Sequence, residues 1–508
     1  MVGYALGMSS FSPLTRRRLL IGGAATAGLT ALAAAKVAAT QGKNVLLICA
    51  DEHRADFLGA EGHPYAFTPR LDRLAREGVR FPHAYAAAPV CAPARASVLT
   101  GLYPPEHGQL HNNYILHEST RTLIHAFAER GYDTVCVGKL HTNTNGDYGF
   151  GSRPETGMGE DHIGEIRRAL KKKRDAPGQL IEADQGAFSR TPGGKLWGAA
   201  LDDVSLVPDE AVLQESLRFL RKKHKRPFFL FASFLQPHYP WTIPTRWYNH
   251  FDPKDIPPPR TDGKALLNNP FALHRFERQG WGALTPDDHR VLLARYAGAL
   301  GWLDENVGKL LDALDERGLR EDTLVVYHAD HGEMAGDKGL WLKSLLFDGA
   351  ARIPLIARWP GVLPAGAVND ALVNQVDLLP TIAGLVGQPL REGASGQDLS
   401  ATFRGERPGP DHTFSVEGAR PDGVAPDALM VRSPRHKLNM YRGRFGADEP
   451  FGELYDMQAD PLEEHNLHDD PALADTRAAL SAVGEVFLAS LRPPKHPTAK
   501  RDGPIDDD

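Results

Sequence analysis

Two pairs of residues stand where a cation site is readily built. Asp51-Glu52 directly follow the apolar run Asn44–Ala50 (NVLLICA), and Asp330-His331 directly follow the run TLVVYHA, which starts at Thr323. In open α/β sheets, ligands collect beyond the carboxyl ends of the strands, so two such pairs can converge on one ion. Carboxylate ligands suit Ca²⁺ or Mg²⁺, and an added imidazole admits Mn²⁺. Lys139 and His141 leave another apolar run (VCVGKLH), His238 leaves a further one (FLQPHYPW), and Lys343 lies just beyond Asp330. Cations and imidazoles at several strand exits describe a pocket for a tetrahedral anion beside a metal. Arg95 adds a planar guanidinium fork suited to such oxygens. Of the three cysteines, Cys49 and Cys136 sit in apolar runs and read as small buried hydrophobes. Cys91 lies instead among prolines and alanines, four residues before Arg95.

These residues need a scaffold of buried strands. Runs at Asn44–Ala50, Thr134–Val137, Pro227–Phe234, Thr323–His328 and Ile353–Ala357 are short, apolar and rich in branched or aromatic residues, as strands buried on both faces are. Between them, a helix opens at Thr68-Pro69, and helical patterns cover Leu123–Arg130, Pro208–Lys223 and Pro286–Arg317. The last has apolar residues from Leu292 to Leu314 at helical spacing, Thr285 as cap and Asp288 three residues on. Alternating strands and helices predict an α/β fold: a large, mostly parallel mixed sheet with helices on both faces. Beyond about residue 405, proline and glycine rise and short polar strand candidates appear at Ala428–Arg432 and Lys437–Tyr441. This predicts a smaller C-terminal α+β subdomain with a short antiparallel sheet. The expected divisions are 1–39, 40–405, 406–494 and a polar, disordered tail at 495–508.

The 508 residues are 42% hydrophobic and 24% charged, with a formal net charge of −6. That balance excludes a global attraction to nucleic acid or to an anionic membrane. Three cysteines cannot make a disulfide framework. Thr15-Arg16-Arg17-Arg18 precedes an apolar, small-residue stretch from Ile21 to Ala35, the pattern of a cleaved secretory signal. Adjacent arginines after a hydroxyl residue resemble a twin-arginine signal, which implies a periplasmic or secreted protein and the twin-arginine export machinery as partner. No later segment is long and apolar enough to span a membrane. The basic run Arg167–Arg174 reads as a solvated helix face.

The pentapeptide Cys91-Ala92-Pro93-Ala94-Arg95 followed by ASVLTG, with Asp51-Glu52 upstream and GKLH, PHYPW and ADHGE downstream, resembles the formylglycine-dependent (type I) sulfatases of the alkaline-phosphatase superfamily. The likeness runs from Asn44 to about Leu467. It implies an alkaline-phosphatase-like fold and oxidation of Cys91 to formylglycine by a formylglycine-generating enzyme. It implies Asp51, Glu52, Asp330 and His331, with the modified Cys91, around a divalent cation, Ca²⁺ foremost. Arg95 and Lys139 would steady the aldehyde hydrate, His141 would take the proton that triggers sulfate release, and His238 and Lys343 would meet the sulfate and the departing oxygen. Lys139 would also touch the substrate. Choline-sulfatase-like and phosphonate-hydrolase relatives carry an asparagine at the spacing of Asn112, which makes it an expected substrate contact. In the implied chemistry, one hydroxyl of the hydrate attacks sulfur and the other, on losing its proton, ejects sulfate. The helix expected to begin near Ala94 would aim N–H groups at the anion.

The chain departs from the pattern at Glu52, where aspartate is frequent, at Leu102, where arginine is common, and at Asp337-Lys338, which replaces an acidic–histidine pair. Two other functions fit parts of the pattern. Phosphonate monoester and phosphodiester hydrolases share the nucleophile, but the Lys139/His141 pair marks sulfatases. A non-catalytic binder of sulfated ligands would keep Cys91 unmodified. The alcohol is not legible: aryl, choline-like, steroid and carbohydrate sulfates would share everything above. Trp241, Trp247 and Trp281 are candidates to stack on it, although such residues more often pack.

Overall fold

A computed structural model describes residues 43–154, 198–205, 207–259, 269–388, 393–418, 427–442 and 450–500. The signal stretch and the run at 167–174 lie outside these residues. Seven strands form the main sheet: β1 (Asn44–Asp51), β2 (Val79–Arg80), β3 (Asp133–Gly138), β4 (Phe228–Pro237), β5 (Thr323–Ala329), β6 (Leu355–Arg358) and β7 (Ala367–Val368). Their order is β7-β2-β6-β5-β1-β4-β3. The neighbouring strands β5, β1, β4 and β3 run parallel, and β6 is antiparallel to β5 and β2. The run expected as one strand at Ile353–Ala357 is two, separated by Pro354: Arg352–Ile353 joins a small second sheet and Leu355–Arg358 the main one. A proline lacks the N–H a continuous ladder requires.

β1 is buried along its whole length, as its unbroken apolar sequence demands of a central parallel strand. Helices α1 (Pro69–Glu77), α2 (Cys91–Thr100), α3 (Pro208–Arg221), α4 (Pro286–Glu316) and α5 (Leu378–Leu385) accompany this sheet. The capping box expected for α4 is present: Thr285 Oγ1 accepts from the Asp288 N–H and Asp288 Oδ2 from the Thr285 N–H. The nucleophile helix starts at Cys91 itself, not at Ala94. Pro93 is tolerated because the first helical N–H groups have no intrahelical partner.

In the C-terminal part, β8 (Thr413–Glu417), β9 (Ala428–Arg432), β10 (His436–Tyr441) and β11 (Phe451–Asp456) form an antiparallel sheet in sequential order. Helix α6 (Ala474–Ser490) covers it. Leu429, Leu438, Leu454, Leu480 and Phe487 share an apolar cluster with Ala87, Ala88, Tyr103 and Val376 of the preceding part. A charged cluster reinforces that contact, with the fully buried Lys437 Nζ 2.8 Å from Asp348 and 2.7 Å from Glu463. The stretch from Lys495 was expected to be disordered; its described residues, 495–500, contact the rest of the chain. His496 stacks on His117 with ring centroids 4.1 Å apart, and the Ala499 carbonyl accepts from the Ile115 N–H.

Candidate active site

Register decides what meets at the sheet's carboxyl edge. Ala50 of β1 pairs with Ala329 of β5, and Cys49 of β1 and Gly138 of β3 both pair with Ser233 of β4. Asp51, Asp330 and Lys139 therefore leave the sheet side by side. Gly138 is required for this: its φ is +102°, and a Cβ there would lie 1.9 Å from the Ser233 carbonyl oxygen.

Asp51, Cys91, Asp330 and His331 present one ligand atom each, all within 4.8 Å of one another and all buried. Cys91 Sγ lies 3.0 Å from His331 Nε2 and 3.6 Å from Asp51 Oδ1. Here the sulfur stands where a formylglycine would place an oxygen of its hydrate. His331 Nδ1 lies 2.8 Å from the Gly332 carbonyl. A carbonyl only accepts, so Nδ1 carries the proton and the Nε2 lone pair faces the cluster, the tautomer a metal ligand needs. Two carboxylates, one imidazole and an oxygen at position 91 fit a hard divalent cation.

Arg95 holds the carboxylates in place. Its Nε lies 2.8 Å from Asp330 Oδ2, one terminal nitrogen 3.4 Å from Asp51 Oδ2, and the other donates to Ser233 Oγ and the Lys139 carbonyl at 2.7 and 2.8 Å. Lys139 Nζ pairs with Asp51 Oδ2. Burial alone would raise the Asp51 carboxyl, but Lys139, His238, Arg95 and His331 pull it well below the usual range. Burial, with Asp51 beside it, pushes the Cys91 thiol up to about 12 against the pull of Lys139 and Lys343. Without a cation beside it, an unmodified Cys91 is therefore held as a thiol and is a poor nucleophile.

A second group faces this one. Lys343 Nζ lies 2.8 Å from His238 Nε2 and 3.1 Å from Glu52 Oε1. The backbone of Glu52 has φ +68°, which swings its carboxylate to Lys343 and His238 and leaves it out of the four-residue cluster. Glu52, expected as a ligand, has its Oε1 beside Lys343, and burial raises its carboxyl well above the usual range against the pull of Lys343. The loop carrying Lys343 is shaped by Glu333, whose Oε1 accepts from the Ala335 and Leu342 N–H groups.

The remaining expected residues divide. His141 (φ +58°) sits on a loop whose position is fixed where Gln109 donates to the His141 carbonyl at 3.0 Å. Asn112 Oδ1 accepts from the Ala92 N–H at 3.0 Å, so it caps the nucleophile helix, a use the sequence spacing did not reveal. Asp337 pairs with Arg54, and Lys338 Nζ donates to the Leu462 and Glu463 carbonyls, so this turn is tied to the segment after β1 and to the C-terminal part. Trp241, Trp247 and Trp281 are buried in the core.

Sequence reasoning missed two buried polar residues. Glu417, at the end of β8, has an Oε2 with no hydrogen-bond partner. Burial pushes it up to about 8, with Arg275 opposing, Asp427 adding to the rise and His331 opposing. Gln375 is the other. Neither belongs to a recognisable motif.

A mostly parallel sheet whose carboxyl edge gathers carboxylates, an imidazole, a special cysteine and three buried cations defines a hydrolase of the alkaline-phosphatase-like class. The sulfatase family model matches residues 43–388, and a model of the C-terminal part of N-sulphoglucosamine sulphohydrolase matches 336–483. The chain belongs to the sulfatase family and is a sulfuric ester hydrolase. An arylsulfatase of Clostridium perfringens is 29% identical over 449 residues, covering 84% of this chain and 90% of that protein. An ulvan-active sulfatase of Formosa agariphila is 29% identical over 454 residues, covering 88% and 81%. The crystal structure of a phosphonate monoester hydrolase of Agrobacterium radiobacter superposes with a TM-score of 0.71 at 25% identity, covering 91% of this chain and 100% of that one. Membership implies a metal ion and a formylglycine. Among the described residues, no helix is long and apolar enough to cross a membrane.

Proposed function

We propose that this chain is a sulfate monoester hydrolase whose Cys91 is matured to formylglycine and whose Asp51, Asp330 and His331 hold a calcium ion beside it. The observation that carries this reading is the gathering of those four residues' ligand atoms within 4.8 Å. A bound divalent cation supplies Lewis acidity that makes a hydroxyl of an aldehyde hydrate acidic at neutral pH. Arg95 fixes both carboxylates and, with Lys139, limits their mutual repulsion when the cation is absent. Lys343 and His238 face the cluster and take the charge of the sulfate oxygens and of the leaving alcohol. His141 accepts the proton whose loss releases sulfate. Asn112 holds the Ala92 N–H, so the turn that presents residue 91 is rigid before substrate arrives.

The test combines two measurements. In protein from a host that carries a formylglycine-generating enzyme, the Cys91 peptide is expected to be about 18 Da lighter than the thiol form. The same protein is expected to hydrolyse an aryl sulfate, lose activity to a chelator and regain it with calcium. A thiol-only peptide in active protein would end the mechanism, and a thiol-only peptide in inactive protein would favour a sulfated-ligand binder.

A second reading is a phosphonate monoester or phosphodiester hydrolase, supported by the likeness to the Agrobacterium radiobacter enzyme. Lys139, locked on Asp51, favours sulfate. Comparing turnover of an aryl sulfate with that of a phenyl phosphonate ester decides between them, and faster phosphonate cleavage would reverse the assignment.

We also propose export through the twin-arginine machinery to the periplasm or beyond. Replacing Arg16 and Arg17 by lysine is expected to retain the protein in the cytoplasm; unchanged export would exclude this route.

A further inference from the structure

Gln375 is fully buried in a short 3-10 turn, Gln375–Asp377, that follows Val373–Asn374 of the second sheet. The turn is fixed at its start. Asn374 Oδ1 accepts from the Val376 N–H, Asp377 Oδ2 accepts from the Asn374 N–H, and Asn374 Nδ2 reaches Thr413 and Phe414. From this base the Gln375 amide spans two parts of the site. Its Nδ-equivalent nitrogen, Nε2, donates to the Ala329 carbonyl at 2.9 Å and the Asp330 carbonyl at 2.6 Å, and its Oε1 accepts from the Ala87 N–H at 3.1 Å.

The first two partners form the strand exit that carries Asp330 and His331. The third lies on the loop that delivers Cys91. That loop has other anchors: the Ala86 N–H donates to Ala351, the Val416 N–H donates to the Ala87 carbonyl, and the Ser344 N–H donates to the Pro89 carbonyl. Those bonds tie it to other segments, including the one beside Lys343. Among the described residues, Gln375 is the side chain that ties it to the ligand-bearing strand exit.

We propose that Gln375 is a positioning residue that sets the ligand pair Asp330-His331 and the nucleophile at position 91 as one unit. A primary amide offers two donors and an acceptor in one plane, matching two carbonyls and one N–H. Leucine would leave the Asp330 carbonyl and the Ala87 N–H without this partner and the Ala329 carbonyl with His328 Nδ1 alone, and glutamate would set an oxygen against two carbonyls. Asparagine keeps the amide but is one methylene too short to reach both sides. The inference rests on the cation-site reading above.

The test uses full-length, formylglycine-bearing wild type, Gln375→Asn and Gln375→Leu, with calcium as the probe. Melting temperatures are read in chelator and in saturating calcium, and kcat and KM are read on an aryl sulfate. For Gln375→Asn, kcat is expected to fall about tenfold or more with KM within about twofold, and most of the calcium-dependent rise in melting temperature should vanish. Its melting temperature in chelator should fall by less than its melting temperature in saturating calcium. Gln375→Leu should show the same pattern more strongly; if it fails to fold, the asparagine variant decides alone. A calcium-dependent rise equal to that of wild type, or an equal drop with and without calcium, overturns the inference. A wild type that gains nothing from calcium ends the cation-site reading instead, and this inference with it.

Discussion

Lys343 Nζ stands 2.8 Å from His238 Nε2, while Nδ1 of the same ring faces the Tyr239 carbonyl. The carbonyl fixes the proton on Nδ1, so Nε2 is an acceptor and the lysine supplies the shared proton. In the proposed reaction the two would therefore act as one proton-donating pair. Removing either member should disable both. His238→Ala and Lys343→Ala are each expected to cost more on a poor alkyl leaving group than on an activated aryl one. The double variant should be little worse than the worse single. Additive losses in kcat/KM would dissolve the pair.

Replacing the nucleophile should separate folding from catalysis. Cys91→Ala removes one small buried atom group from a helix whose ten residues are all buried. Turnover is expected to fall at least about 10⁴-fold while the circular dichroism spectrum and melting temperature change little. Residual activity near that of the parent would exclude residue 91 as the attacking position.

Arg95 should matter to stability before it matters to rate. It is the shared partner of Asp330, Asp51, Ser233 and the Lys139 carbonyl, all in a buried setting. Arg95→Met leaves carboxylates and a carbonyl uncompensated, which costs roughly 3–5 kcal/mol in comparable buried networks. Urea titration of the calcium-free protein is the measurement. A midpoint unchanged from the parent would show that the carboxylates find other partners.

Acid should weaken the protein through its buried histidines. Burial pushes His107 down from 6.5 to about 3, against a bond to the Pro93 carbonyl. The folded value lies below the unfolded one, so the contribution is complete above pH 6.5 and is lost as pH falls toward 3. His53, His63, His289 and His328 are lowered in the same direction. In His107→Gln, the decline of stability between pH 6 and 4 should be flatter by about 1.4 kcal/mol per pH unit. Parallel profiles from chemical denaturation at each pH would remove His107 from the account.

The sheet and the carboxyl-edge residues were legible because they repeat simple signals. Apolar runs mark buried strands, and a charged residue immediately after such a run lands at the strand exit by chain geometry alone. Asp51, Lys139, His238 and Asp330 all fall under that rule. Where the backbone turns unusually, spacing says less: Glu52 at φ +68° sets its carboxylate beside Lys343 and His238, and no spacing announces that. The capping bond of Asn112 and the bonds of Gln375 were not legible for a related reason. Each acts by holding a backbone group of a segment distant in sequence, and any amide at a suitable point in space would do so. The start of α2 at Cys91 was hidden because its cap, Asn112, comes from another loop rather than from the preceding residue. The ordering of 495–500 was hidden because those polar residues bond to backbone at Ile115 and stack on His117, contacts that composition does not encode.

The Ile115–Ala499 bond also orders events in time. The loop from His111 to His117 holds Asn112, and through it the first turn of the helix that presents residue 91. A ribosome completes that helix long before it reaches the segment that clasps the loop. Until then, the surroundings of the thiol lack one of their closures, and the maturation proposed above would have the interval of translation in which to occur.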